Sequence, residues 1–121
     1  QRPRSNTPLA ALVLMNDPTF VEAARFFAQK LLSQSELDPT AVIQRAFQIA
    51  LSRDPQKREI QVLLDLLHDQ KELFQNDRSQ AIAFLQVGLQ PVPEDIDPVE
   101  LASWTMVTRT LLNLHETITR Y

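Results

Sequence analysis

The sequence predicts an all-α fold, a single compact bundle of five to six amphipathic helices. The first observation is a set of five proline pairs typical of helix starts: Thr7-Pro8, Asp17-Pro18, Asp38-Pro39, Asp54-Pro55 and Asp97-Pro98. The Asp or Thr side chain accepts a hydrogen bond from a free backbone N–H, and proline at the first helical position lacks an N–H that would have no partner. The second observation is that apolar residues recur at helical spacing, whereas no segment alternates as a strand would. The recurring pairs leave a helical-repeat architecture as the alternative.

The helix starts and the apolar spacing divide the single domain, residues 1–121, into six helices. We expect these helices at approximately residues 8–15, 18–33, 39–52, 55–76, 78–87 and 98–119. The short first helix is apolar on all sides, which predicts that it is buried. The fifth is expected to end at Gly88, because glycine readily adopts the left-handed conformation that follows a helix.

The same spacing predicts which side chains point into the core. In the second helix the inward residues are predicted to be Phe20, Ala23, Ala24, Phe27 and Leu31. The polar face of that helix is predicted to carry Glu22, Arg25, Gln29 and Lys30. In the fifth helix the inward residues are Ala81, Ile82 and Leu85, and in the last they are Leu101, Trp104, Thr108, Leu111, His115 and Ile118.

Composition and charge exclude several classes of function. Hydrophobic residues make up 44% and charged residues 22% of the chain, as in soluble globular domains, and the net charge of −3 gives no reason to expect nucleic-acid binding. The absence of cysteine excludes disulfides, zinc–thiolate sites and cysteine nucleophiles within these residues. The longest apolar run, Leu9 to Met15, is shorter than the about 20 residues of a membrane-spanning helix, so no membrane insertion is expected. Because the sequence begins at Gln1 and its last helix has no stop signal, we expect it to be part of a longer chain.

Two histidines are the candidates for metal binding or acid–base chemistry. Glu72 follows His68 by four residues, but such pairs are common on helix surfaces and a closed zinc site needs about four ligands. Asn113, His115 and Glu116 bring an amide, an imidazole and a carboxylate into one turn. Adjacent residues on a helix point in different directions, so His115 and Glu116 cannot both reach one substrate without a group from elsewhere in the protein. The sequence favours a solvated His68 and a structural His115, and we predict no metal site, cofactor or catalytic residue.

Two arginines near the N-terminus, Arg2 and Arg4, form a candidate anion site. They precede the predicted first helix, whose free N–H groups and dipole favour a phosphate, sulfate or carboxylate. The alternative is that both arginines pair with carboxylates of a region upstream. The residues predicted for an anion site or a composite site are Arg2, Arg4, Asn6, Asn16, Asn113, His115 and Glu116.

Three blocks of sequence contain combinations of residues that amphipathic spacing alone does not explain. They are residues 4–12 with 16–25 (RSNTPLAAL and NDPTFVEAAR), residues 46–55 with Glu59 (AFQIALSRDP), and residues 111–116 (LLNLHE). Together they resemble the C-terminal part of the planctomycete secreted-protein domain of unknown function, over essentially the whole chain. The departures are Ser5 for the usual Thr, Ser52 for a frequent Gly, and His115 for the usual Asp. The last of these favours a structural role at that position.

The resemblance implies a large exported or periplasmic protein, in which this region follows a second uncharacterised domain and often a cytochrome-c-like haem module. It implies no established activity. We therefore predict a noncatalytic C-terminal module that docks on the upstream domains or on a protein partner. One alternative is a share in a composite active site for polysaccharide turnover, to which Arg4, Asn6, Asn16, Asn113 and Glu116 would contribute. The second alternative is a docking surface for a haem domain.

Overall fold

A computed structural model of the chain describes residues 17–34, 38–88 and 90–119, with side chains as far as residue 115. Across these ranges the chain forms helices and no strand, which confirms the all-α prediction. The helices are α1 (Pro18–Leu32), α2 (Pro39–Leu51), α3 (Lys57–Asn76), α4 (Arg78–Leu85) and α5 (Pro98–Thr119). The helix predicted at residues 8–15 lies outside the described residues.

Three of the predicted aspartate caps are present. The carboxylate of Asp17 accepts a hydrogen bond from the Thr19 N–H at 2.8 Å, and that of Asp38 accepts one from the Thr40 N–H at 3.2 Å. Asp97 likewise accepts from the N–H of Glu100 at 3.1 Å. Each cap satisfies a donor that the helix itself leaves free. The starts of α1, α2 and α5 are therefore fixed by their own sequence.

The prediction that Asp54 and Pro55 open a helix at residue 55 is wrong. The N-cap of α3 is Gln56, whose backbone N–H donates to the Glu59 carboxylate at 2.8 Å. The Asp54 carboxylate instead accepts a hydrogen bond from the side-chain amide of Gln48 on α2. A glutamate at the third helical position is a strong start signal, and here it outweighs the Asp-Pro pair and moves the helix start to Lys57.

Left-handed backbone follows two of the helices, directly after one and a few residues after the other. Ser52 follows α2 with a φ of 58° and donates its N–H to the carbonyl of Gln48 at 2.9 Å. Gly88 has a φ of 103°, as the sequence predicts for the region after the fifth predicted helix. That helix, α4, nevertheless ends at Leu85 rather than at residue 87, with Gln86 as its C-cap. Gly88 thus turns the chain two residues beyond the cap.

The core is built around α5, which contacts each of the other four helices. Its residues 101–105 are all buried, so this helix has an interior environment on nearly every side. Three hydroxyls that this burial removes from water are each hydrogen-bonded to a carbonyl at 2.7 Å: Ser103 to Val99, Thr105 to Leu101, and Thr108 to Ala24 of α1. Buried polar groups are tolerated when they are paired in this way. The Thr108 bond also fixes α1 against α5.

The buried side of α1 differs from the prediction. Ala24 and Leu31 are buried as expected, whereas Ala23 is exposed and Phe20 and Phe27 are only partly buried. Arg25, predicted on the polar face, is only 1% exposed. This burial arises because the segment between α4 and α5 folds over that side of α1, a contact that the local sequence of α1 does not encode.

Candidate functional site: a groove beside a clamped connector

A concave surface lies between α4 and the connector, residues 86–97, that leads into α5. It is an open groove with a volume of about 660 Å³. Its lining is mainly apolar and rich in proline, and its three polar side chains are exposed: Ile82, Leu85, Gln86, Gly88, Gln90, Pro91, Val92, Pro93, Glu94, Ile96 and Pro98. Ile82 was predicted to point inward but is 43% exposed, so it offers an apolar surface to solvent.

The connector is held in place by a buried arginine of α1. One terminal nitrogen of Arg25 donates to the backbone carbonyl of Gln90 at 2.8 Å. The other donates to the carbonyl of Pro91 at 3.3 Å and to the side-chain oxygen of Gln29 at 2.6 Å. The planar guanidinium suits such a fork of acceptors, since its donors are fixed in direction. Arg25 therefore fixes two consecutive peptide groups of one groove wall.

Glu22 completes this arrangement, which we call the clamp: Glu22, Arg25 and Gln29. The Glu22 carboxylate accepts a hydrogen bond from the Gln90 N–H at 2.6 Å and lies 3.6 Å from the Arg25 guanidinium. Burial lowers the pKa of Arg25, and the negative charge of Glu22 raises it again in part. Arginine stays protonated under such shifts, so the clamp contains an ion pair between a buried guanidinium and a partly buried carboxylate.

Glycine is required where the clamp meets the connector. A Cβ atom at Gly88 would lie 2.6 Å from Cδ and 2.8 Å from Oε2 of Glu22, closer than atoms can approach without displacement. The positive φ of Gly88 also disfavours any residue with a side chain. This glycine thus lets the backbone pass directly over the Glu22 carboxylate.

The other end of the connector is held by ion pairs between helices. Arg78, the first residue of α4, lies 3.1 Å from the carboxylate of Asp97, the cap of α5. Close by, Lys71 of α3 lies 3.2 Å from the carboxylate of Glu100, which also accepts a hydrogen bond from the Trp104 indole at 3.1 Å. These pairs are partly exposed and individually weak. Together with the clamp they hold both ends of the connector.

A second charged cluster joins the end of α2 to the start of α3. Arg53 donates two parallel hydrogen bonds to the Glu59 carboxylate, at 2.9 and 2.8 Å, and its guanidinium lies 4.9 Å from the ring centroid of Phe47. The hydrogen bonds from Arg53 and from the backbone of Gln56 lower the pKa of Glu59 from 4.5 to about 2. The cluster stabilises the α2–α3 turn, and its donors and acceptors are used within the fold.

The lowered pKa predicts a pH-dependent contribution of Glu59 to stability. Because the unfolded chain takes up this proton more readily, the contribution is fully present above pH 4.5 and is lost as the pH falls towards 2. We expect Glu59→Gln to cost about 1 kcal/mol at neutral pH, a value reduced for screening by solvent. Urea denaturation of both proteins from about pH 6 to about pH 2 measures this difference, which should shrink to nearly zero at the acid end. A difference that is constant with pH would contradict the assignment.

The residues predicted for an anion or composite site are only partly described. Asn113 and His115 are half-buried near the C-terminal end of α5. Arg2, Arg4, Asn6 and Asn16, and the side chain of Glu116, lie outside the described residues. Their role in an anion site or a composite site stays a prediction.

The exposed histidine behaves as the sequence indicates. His68 is 72% exposed and lies 3.7 Å from Glu72, an ordinary surface pair on α3. Within the described ranges, no group of three or more metal-binding side chains is placed to hold an ion. The helices that the structure describes are also too short or too polar to span a bilayer.

The sequence predicted neither the clamp nor the groove. Glu22 and Arg25 were visible as charges on an amphipathic helix, and the Pro91-Val92-Pro93 segment was visible as an extended linker. Arg25 and Gln90, the two halves of this contact, are 65 positions apart in the sequence. The usable signal was Arg25 itself, which lies next to Ala24 on the inward edge of its helix.

Comparison with known proteins assigns the chain to a family. Residues 1–67 match the model of a family described as PSD1, protein of unknown function (DUF1553). The chain belongs to this family. No curated protein and no solved structure matches it. The DUF1553 match includes the clamp and the Arg53–Glu59 cluster, whereas the connector and the groove walls lie beyond residue 67.

Proposed function

We propose that this DUF1553 chain is a noncatalytic docking module, and that its groove binds a polypeptide segment of the domains that precede it in a longer protein. The observation that carries the proposal is the groove itself, an open apolar concavity of about 660 Å³ with one wall held by a buried arginine. Binding sites are commonly concave, mostly apolar and formed before the ligand arrives. A wall that is already fixed loses little conformational entropy on binding.

The chemistry of the groove suits an extended apolar polypeptide. Ile82, Val92 and Ile96 supply apolar contacts. The exposed side chains of Gln90 and Glu94 can pair with the backbone of a bound segment. Peptide recognition generally combines apolar pockets with a few polar groups that fix the backbone. The charged residues of the clamp and of the Arg53–Glu59 cluster are engaged in structural pairs, which favours a docking role over a chemical one.

The same proposal includes the kind of protein to which this region belongs and its position in that protein. The sequence blocks at residues 4–12, 16–25, 46–55 and 111–116 support a planctomycete secreted protein in which this region is C-terminal. The parent protein would then be exported or periplasmic. The nearest candidate partner is the polypeptide that precedes residue 1, because covalent linkage raises its effective concentration at the groove.

Calorimetric titration with this upstream polypeptide, produced separately, tests the proposal. We expect Ile82→Glu to weaken binding at least about tenfold, since a carboxylate would be desolvated against the partner. Val62→Glu is the matched control, because Val62 is an exposed apolar residue on α3 that does not line the groove. Both variants must retain the helical content of the wild type.

Two results would contradict docking through the groove. In the first, the upstream polypeptide does not bind the wild-type chain. In the second, Ile82→Glu and Val62→Glu weaken binding equally, which would indicate a general effect of added charge rather than an effect at the groove.

A further inference from the structure

A second apolar surface lies on α1, on the side away from the clamp. It consists of Phe20, Ala23 and Phe27, which we call the phenylalanine face. Ala23 is exposed and both rings are half-buried, while the neighbouring Phe26 is 42% exposed. Residues at spacings of three, four and seven form one row on a helix. The other helices that the structure describes leave this row partly uncovered.

We propose that the segment Leu9–Met15 packs on the phenylalanine face, and that it forms with α1 an αα-hairpin that turns at Asn16 and Asp17. All seven residues of this segment are apolar. Only Asn16 separates it from Asp17, the N-cap of α1. Connections of two to five residues are typical of antiparallel helix pairs. The segment is thus attached at the end of the face that it would cover.

The short link to α1 and the length of the segment support Leu9–Met15 as the part of the chain that covers the phenylalanine face. Two extended residues span about 7 Å, so Met15 must lie within that distance of Asp17, close to the first turn of α1. The row from Phe20 to Phe27 is eight residues long and spans about 10 Å along the helix axis, and a helix formed by Leu9–Met15 would have nearly the same length. The segment therefore matches the face in length, in chemistry and in point of attachment.

The absence of cysteine allows a direct test by disulfide cross-linking in the full 121-residue chain. Cysteine is introduced at Ala23 and, one variant at a time, at Ala11, Leu12, Val13 and Leu14. Four consecutive positions cover a full turn, so the scan does not depend on knowing the register. Ala23 is exposed, so the change there is compatible with folding. A variant that loses helical content is left out, and the remaining positions of the scan then decide the result.

The matched control pairs the same four positions with Gln75→Cys, an exposed residue on α3. The proposal predicts that at least one Ala23→Cys pair closes within a monomer at least about tenfold faster than its control, because packing raises the effective concentration of the two thiols. The readout is the mass of the cross-linked species. Cross-links found only in dimers would place a second copy on the face, and rates equal to the control would leave the segment elsewhere. Either result would overturn the proposal.

Discussion

Replacing Arg25 by alanine should destabilise the protein by about 3 kcal/mol, the largest effect of any single change considered for this chain. The substitution removes the donors to the Gln90 and Pro91 carbonyls and leaves the partly buried Glu22 carboxylate without its cation. Removing one member of a buried pair costs more than the pair contributes, because the remaining charge stays desolvated. Urea denaturation followed by the fluorescence of Trp104, the single tryptophan, measures the loss.

Two further variants separate the geometry of Arg25 from its charge. Arg25→Lys keeps the charge but cannot reproduce the fork of donors, so we expect it to recover less than half of the loss. Arg58→Ala removes an exposed arginine of α3 and should change stability by less than about 0.5 kcal/mol. Equal stability of Arg25→Ala and Arg58→Ala would show that the clamp contributes nothing to folding.

Replacing Gly88 by alanine is expected to cost about 2 kcal/mol, through two separable causes. A φ of 103° strains any residue that has a Cβ. That Cβ would also lie 2.6 Å from the side chain of Glu22, so the carboxylate has to move away from the Gln90 N–H. Both effects act on the same wall of the groove, and the loss is again measured by urea denaturation.

A double-mutant cycle with Glu22→Ala separates these causes. In the Glu22→Ala background no carboxylate is left to displace, so Gly88→Ala should cost only the backbone strain, about 1 kcal/mol. The same cost in both backgrounds would mean that Glu22 and Gly88 do not interact, which would contradict the observed approach of the connector to α1.

Local signals in the sequence were sufficient for much of the fold. The caps Asp17, Asp38 and Asp97 act within one turn of their own helices, so local chemistry determines the starts of α1, α2 and α5. The same rule failed at Asp54, whose carboxylate is used by Gln48 of the preceding helix. The rule fails there because the Asp54 side chain is engaged by Gln48 and because Glu59 supplies the stronger start signal.

The candidate site could not be predicted because each part depends on contacts between distant residues. Arg25 lies at the edge of the inward face of α1, and its burial depends on the connector that crosses α1. Ile82 has the spacing of an inward residue, yet α4 is only eight residues long and presents Ile82 to the groove. Helix periodicity shows which residues share a face, but not which face the rest of the chain covers.

Amide hydrogen exchange with and without the upstream polypeptide shows whether the groove beside the connector is a docking surface. Docking there predicts slower exchange in residues 82–97 on addition of that polypeptide, with α3 residues 57–76 unchanged as the internal reference. Protection confined to α3, or no change in residues 82–97 at a concentration that saturates binding, would contradict it.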